Sequence, residues 1–96
     1  MTYSREESQE AVARILERVS QLGYTEESNV PEGASHYTHA FVLEDGATKK
    51  VVRFHATCQK VDLFHGVFSH RDGSRTLHTF RIKSDRKLNE VLHKIG

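Results

Sequence analysis

The chain has 96 residues, one cysteine and a net charge of only +1, a size typical of one domain, and it cannot form an intramolecular disulfide. Its longest apolar run, residues 40–43, is far too short to span a membrane, and no apolar signal region follows Met1. We therefore expect a single domain, residues 1–96, that is cytoplasmic and not bound to a membrane.

The charges are unevenly distributed along the chain. Residues 1–46 hold nine acids and three bases, whereas residues 47–96 hold four acids and eleven bases. Such asymmetry is typical of a chain with an anion-binding half. An acidic helix lying beside a basic sheet would produce the same division, so both interpretations stay open.

The first predicted element is a helix over residues 4–22. Ser4 and Glu7 have the spacing of a capping box, and Gly23 can take the left-handed conformation that ends a helix. Residues 24–35 are mostly polar and predict a loop. The apolar residues of the helix recur at helical spacing and form one stripe, namely Val12, Ile15, Leu16, Val19 and Leu22.

After the loop the apolar pattern changes to a period of two, which indicates strands. Asp45-Gly46 and Asp72-Gly73 are hairpin-turn signals, and tight turns favour an antiparallel meander. A second amphipathic helix is predicted over residues 85–95, with the stripe Leu88, Val91, Leu92 and Ile95. The predicted strands cover about 36–44, 49–57, 61–70 and 75–83.

These elements predict an α+β fold in the order α-β-β-β-β-α. Each helix has one apolar stripe to bury and the sheet needs a cover, so we expect a two-layer sandwich with both helices on one face of a four-stranded sheet.

The third strand is apolar on both faces, so its orientation depends on the turn that follows it. Of a two-residue and a three-residue loop we favour the longer one, a bulge with Gly73 at positive φ, because it pairs Phe64 with Phe80. Phe64 and Phe68 then lie in the core. The expected core joins Val12, Ile15, Leu16 and Val19 to Phe64, Phe80, Leu88 and Leu92.

In this register the other sheet face combines apolar and charged residues. A contiguous apolar patch on a surface suggests a binding partner. The candidate partner-binding residues are Val51, Arg53, His55, Leu63, Val67, Leu77 and Arg81.

A nucleic-acid interface is the alternative, because a basic hairpin near a basic helix start can bind phosphates. The expected placement of the aromatic residues in the core argues against base stacking. The candidate residues for this interface are Lys49, Lys50, Arg71, Arg75, Lys83, Arg86 and Lys87.

Seven histidines and Cys58 are the remaining candidates for chemistry. His36 and His39 have a spacing that points their rings to opposite faces of a strand, and the preferred register also separates His65 from His78. Cys58 has no recognisable catalytic context. We therefore expect no catalytic residues, no metal site and no cofactor.

Together these features favour a small non-enzymatic protein-binding module of the inhibitor, immunity or adaptor type. Its expected partner is another protein, and a homodimer with a second copy of the chain is one form that this can take. Nucleic-acid binding through the basic half is the alternative, and a histidine-based metal or enzyme site is a more distant third.

Overall fold

The computed structural model describes residues 2–33 and 36–96, so residues 34 and 35 of the predicted loop lie outside the described residues. Its strands form one antiparallel sheet in the order β1-β2-β3-β4-β5. The α+β class and the meander are confirmed, but the prediction of four strands was wrong. The elements are α1 (Arg5–Gln21), β1 (Thr25–Glu26), β2 (His39–Glu44), β3 (Thr48–Ala56), β4 (Val61–Ser69), β5 (Arg75–Ile82) and α2 (Asp85–Ile95).

The ends of α1 form as its sequence predicts. Ser4 Oγ accepts a hydrogen bond of 3.1 Å from the backbone N–H of Glu7, and the Ser4 N–H donates one of 2.9 Å to Glu7 Oε1. Gly23 has φ +89°, and the next N–H, of Tyr24, donates to the carbonyl of Val19. This Schellman pairing satisfies carbonyl groups that the helix end would otherwise leave without partners.

The additional strand, β1, lies within the predicted loop. Thr25 pairs with Val42 and Glu26 with Phe41, so the chain joins the edge of the sheet directly after α1. Two exposed polar residues carry no alternating apolar pattern, which explains why periodicity does not predict this strand. The first long strand begins at His39, later than the predicted residue 36.

Both helices pack on one face of the sheet and share one core with it. The predicted Val12, Leu16, Phe80 and Leu92 are partly buried against this core. The most deeply buried apolar side chains of this core include Ile15, Val19, Val52, Phe54, Val61, Leu63, Ile82, Leu88 and Val91.

The predicted orientation of β4 was wrong. The turn after β4 has four residues rather than three, because Ser69 pairs with Ser74 through a 2.8 Å hydrogen bond. Leu63 therefore lies opposite Phe80 in the core, and Phe64 lies opposite Thr79 on the other face. A shift of one residue reverses the face of every side chain in a strand.

Among the residues that the structure describes, neither helix is long and apolar enough to cross a membrane.

The first prediction concerns the core. Ile15 is completely buried between α1 and the sheet, so Ile15→Ala should lower the free energy of unfolding by about 2–5 kcal/mol. Val30 is 36% exposed in the loop, so Val30→Ala should change it by only about 0.5 kcal/mol or less. Urea denaturation of both variants measures the difference, and equal losses would contradict the docking of α1.

The second prediction compares the two hairpin glycines. Gly73 has φ +71° and open space around its Cα, so Gly73→Ala should destabilise the protein by about 1 kcal/mol through backbone strain alone. Gly46 also has open space but no positive φ. Gly46→Ala should therefore be neutral or slightly stabilising in the same thermal melts. A neutral Gly73→Ala would be inconsistent with the left-handed turn.

Candidate functional site

The sheet face turned away from the helices, here called the open face, is not covered by α1 or α2. Its strand registers bring Val42, Val51, Gly66 and Leu77 into one row across four strands. Two phenylalanines of β4 flank this row. Together with the apolar side chains of the row they form what we call the apolar band, namely Val42, Val51, Phe64, Phe68 and Leu77.

Gly66 is the point at which the side chains of the band meet. A β-carbon at this residue would lie 3.0 Å from Phe68 Cε2 and 3.3 Å from both Phe64 Cε1 and Leu77 Cδ2. These three side chains occupy the space that a side chain at residue 66 would need. Val51, directly opposite Gly66, is therefore only 1% exposed, although no helix covers it. Leu77 is 45% exposed, so the band presents apolar surface to solvent.

A largely desolvated ion pair joins the segment after β1 to the open face. Arg53 Nη2 lies 2.8 and 2.9 Å from the two carboxylate oxygens of Glu27, and Arg53 Nε also donates to Glu27 at 3.2 Å. Only 13% of the Arg53 side chain and 8% of the Glu27 side chain are exposed. The guanidinium also lies 5.5 Å from the centre of the Phe64 ring. The positive charge of Arg53 is therefore already satisfied within the protein.

A recess of about 560 Å³ adjoins the band at one end of the open face. Three of its rings form a cluster: the His36 and Tyr37 ring centres are 4.1 Å apart, and the ring of His55 lies 5.5–5.8 Å from both. The side chains and backbone that line it belong to His36, Tyr37, His55, Asp62, Leu63, Thr79, Phe80 and Arg81.

Asp62 is the only carboxylate among the residues that line this recess, and basic side chains surround it. Its oxygens lie 3.4 Å from Lys60 Nζ, 3.6 Å from His55 Nε2 and 4.0 Å from Arg81 Nε. His55 Nδ1 is buried and has no hydrogen-bond partner among the described residues. The recess thus offers ring surfaces and N–H donors, which suit the recognition of a polar group.

The structure brings together most of the predicted partner-binding residues. Val51, Arg53, His55, Leu77 and Arg81 share the open face. The predictions for the other two were wrong, because the four-residue turn reverses the faces of β4 and places them on the helix side. These two residues are Leu63, completely buried in the core, and Val67.

The predicted nucleic-acid residues do not form one cluster. Lys49 and Arg75 lie on the open face, one on each side of Phe68 in neighbouring strands. Lys50 lies on the helix side, and Arg71 lies in the turn that precedes β5. The other three, Lys83, Arg86 and Lys87, lie at or near the start of α2, at the opposite end of β5. Eight residues of strand separate the hairpin from α2 by about 25 Å.

The histidines are distributed over both faces. The ring of His39 stacks on Phe54 on the helix side, whereas His36 lies beside His55 at the open face. The predicted separation of His65 from His78 was wrong, because the observed register pairs them directly. Within residues 2–33 and 36–96 no three metal-ligating side chains converge, and Cys58 is exposed in the turn after β3.

Glu27 and Phe68 are among the open-face residues that were not predicted to lie there. Glu27 lies in the predicted loop, and only its hydrogen bond to Ala40 and its proximity to Arg53 bring it to the sheet. Phe68 was predicted to lie in the core. The sequence signal for its position is Gly66, since a glycine within a strand often marks close packing by neighbouring groups.

The third prediction tests the recess by titration. Burial, followed by the charge of Asp62, raises the pKa of Tyr37 above its ordinary value of 10.0. Asp62→Asn should therefore lower the pKa of Tyr37, because the phenolate no longer faces a carboxylate. The pKa of Tyr24 is raised by burial alone and should not change, which makes it an internal control in an NMR titration of the tyrosine rings.

The raised pKa of Tyr37 also determines in which direction the stability of the protein changes with pH. Since folding raises the pKa of Tyr37, its contribution to stability is complete below pH 10 and is lost as the pH rises above that value. This loss of stability at high pH should be smaller in Asp62→Asn than in the wild type. Equal Tyr37 titration in both proteins would mean that the ring does not lie beside Asp62.

Comparison with known proteins found no similarity on which a family could be assigned: no family model, no curated protein and no solved structure matches this chain.

Proposed function

We propose that the chain is a non-enzymatic protein-binding module that uses its open face to bind another protein. The observation that carries this proposal is the apolar band, which crosses a face that neither helix covers and leaves Leu77 45% exposed. Contiguous apolar surface of this kind is typical of interaction sites in proteins that are otherwise polar outside.

The charges around the band support a partly polar interface. Arg53 and Glu27 neutralise each other, so covering them would leave no unpaired charge in the interface. Lys49 and Arg75 flank Phe68 and have no ion pair among the described residues. We therefore expect the partner to present an apolar patch with carboxylates at the end that meets these two cations.

We infer binding rather than catalysis from the recess beside the band. Its one lining carboxylate already faces three basic side chains, and among the described residues His55 Nδ1 has no hydrogen-bond partner, neither a hydroxyl nor a thiol. A nucleophile and its base normally meet at such a distance. The recess is better suited to receive a polar side chain at the edge of the interface.

Binding of single-stranded nucleic acid is the second candidate. Phe64 and Phe68 lie on the open face, where aromatic residues of some RNA-binding sheets stack on bases, and Lys49 and Arg75 lie beside Phe68. Three acids on the same face, Glu27, Glu44 and Asp62, reduce its attraction for phosphate, and for this reason we prefer a protein partner.

The fourth prediction concerns the face that binds. Leu77→Arg places a charge in the apolar band and should abolish partner binding while leaving the far-UV circular dichroism spectrum unchanged, because Leu77 is exposed. Thr76→Arg is the matched control: it adds the same charge at the neighbouring exposed residue, whose side chain points to the opposite face.

Affinity capture with the three proteins measures the effect. A genuine partner is retained by the wild type and by Thr76→Arg but not by Leu77→Arg. If the partner is a second copy, sedimentation of the wild type gives a dimer and Leu77→Arg gives a monomer. Salt-sensitive binding of random single-stranded RNA or DNA that Phe68→Ala weakens would favour the nucleic-acid candidate instead.

A further inference from the structure

The two helices are shorter than the sheet that they cover. The 11 residues of α2 span about 16 Å, whereas the nine residues of β4 span about 30 Å. The part of the helix-side face that lies between Phe80 and the turn joining β4 to β5 is therefore only partly covered. This uncovered part lies on the opposite side of the sheet from the apolar band, so what it binds is independent of the function proposed above.

A pocket of about 270 Å³ occupies this part of the face. Its floor consists of two cross-strand pairs of β4 and β5, Val67 opposite Thr76 and His65 opposite His78. Phe80 and α2 close one end. The residues that line it are His65, Val67, Thr76, His78, Phe80 and Lys94, and we call it the helix-side pocket.

The pocket combines apolar contact surface with a few polar groups, as small-ligand sites do. Val67 and the ring of Phe80 provide apolar contact. Thr76, His78 and Lys94 provide a hydroxyl, an imidazole and an ammonium group, and the ammonium lies 5.2 Å from the centre of the Phe80 ring. No acidic residue lines the pocket.

The charges around the pocket are mainly positive. Lys50 is the cross-strand partner of Val67 and lies at its border, and Lys87 also lies over Phe80. Glu90 is the nearest acid that the structure pairs with these groups, and it is shared between Lys87 and Lys94 at 3.4 Å from each. A shared carboxylate leaves an excess of positive charge at the pocket.

His65 is the most enclosed polar group of the pocket. It is only 8% exposed, and its Nε2 has no hydrogen-bond partner among the described residues. Burial, followed by the charges of His78 and Lys50, lowers its pKa, so this imidazole is neutral at neutral pH. A neutral imidazole next to cations avoids the repulsion that a further buried charge would cause.

We propose that the helix-side pocket binds a small oxyanion, a carboxylate or a phosphate, that carries an apolar group. The oxyanion accepts hydrogen bonds from Lys94, Thr76 and His78. The apolar group lies against Val67 and Phe80.

The proposal can be tested by NMR titration of the full chain with four probes: inorganic phosphate, phenyl phosphate, acetate and benzoate. The two aromatic probes should give saturable shifts at Thr76, His78 and Lys94 at lower concentrations than the two simple ions, because only they reach the apolar side of the pocket. The comparison of benzoate with phenyl phosphate identifies the preferred head group.

Lys94→Gln should weaken the binding of the preferred probe by about tenfold, since one charge-assisted hydrogen bond is lost. Lys83→Gln is the matched control, because it removes the same charge from an exposed lysine outside the pocket and should leave binding unchanged. Both residues are exposed, so both variants should retain the wild-type spectrum.

Three results would overturn the proposal. The first is the absence of saturable shifts with all four probes. The second is equal weakening by Lys94→Gln and Lys83→Gln, which would indicate only a general attraction of anions. The third is saturation of His65 and His78 by Zn²⁺ while the oxyanions cause no shifts, which would make the histidine pair a metal site.

Discussion

The register of β4 against β3 and β5, which the four-residue turn fixes on the β5 side, determines which side chains of β4 face the helices. Ser69 opposite Ser74 places Leu63 in the core and Phe64 on the open face, and the same register pairs His65 with His78 on the helix side. Since side chains alternate along a strand and β4 pairs with β3 as well as with β5, an exchange of these positions would require a different register on both sides of β4. The apolar band and the helix-side pocket both depend on this register.

The ion pair between Glu27 and Arg53 connects the acidic first part of the chain with the basic sheet. Both side chains are almost completely shielded from water, so the removal of either one would leave the other charge unpaired. The pair also explains part of the charge division along the sequence. An acid from the segment after α1 neutralises a base of β3, which favours the interpretation in which acidic and basic elements lie side by side.

The helices, their caps and the left-handed Gly73 could be predicted because each depends on a local pattern that the structure confirms. The face of β4 could not be predicted, since Leu63 and Phe64 are equally apolar and only the register of β4 with its two neighbouring strands distinguishes them. This ambiguity caused the errors in the predicted binding site. Of seven candidate residues on the open face, the two that were wrong, Leu63 and Val67, both belong to β4.

As the last strand of the sheet, β5 leaves the hydrogen-bonding groups of its outer edge without a neighbouring strand in the described chain. Such edges are templates for the growth of aggregates. An antiparallel copy centred on His78 would place Arg75 opposite Arg81, and like charges in directly opposed positions are destabilising. The basic residues of β5 therefore disfavour edge-to-edge pairing of two copies in that register.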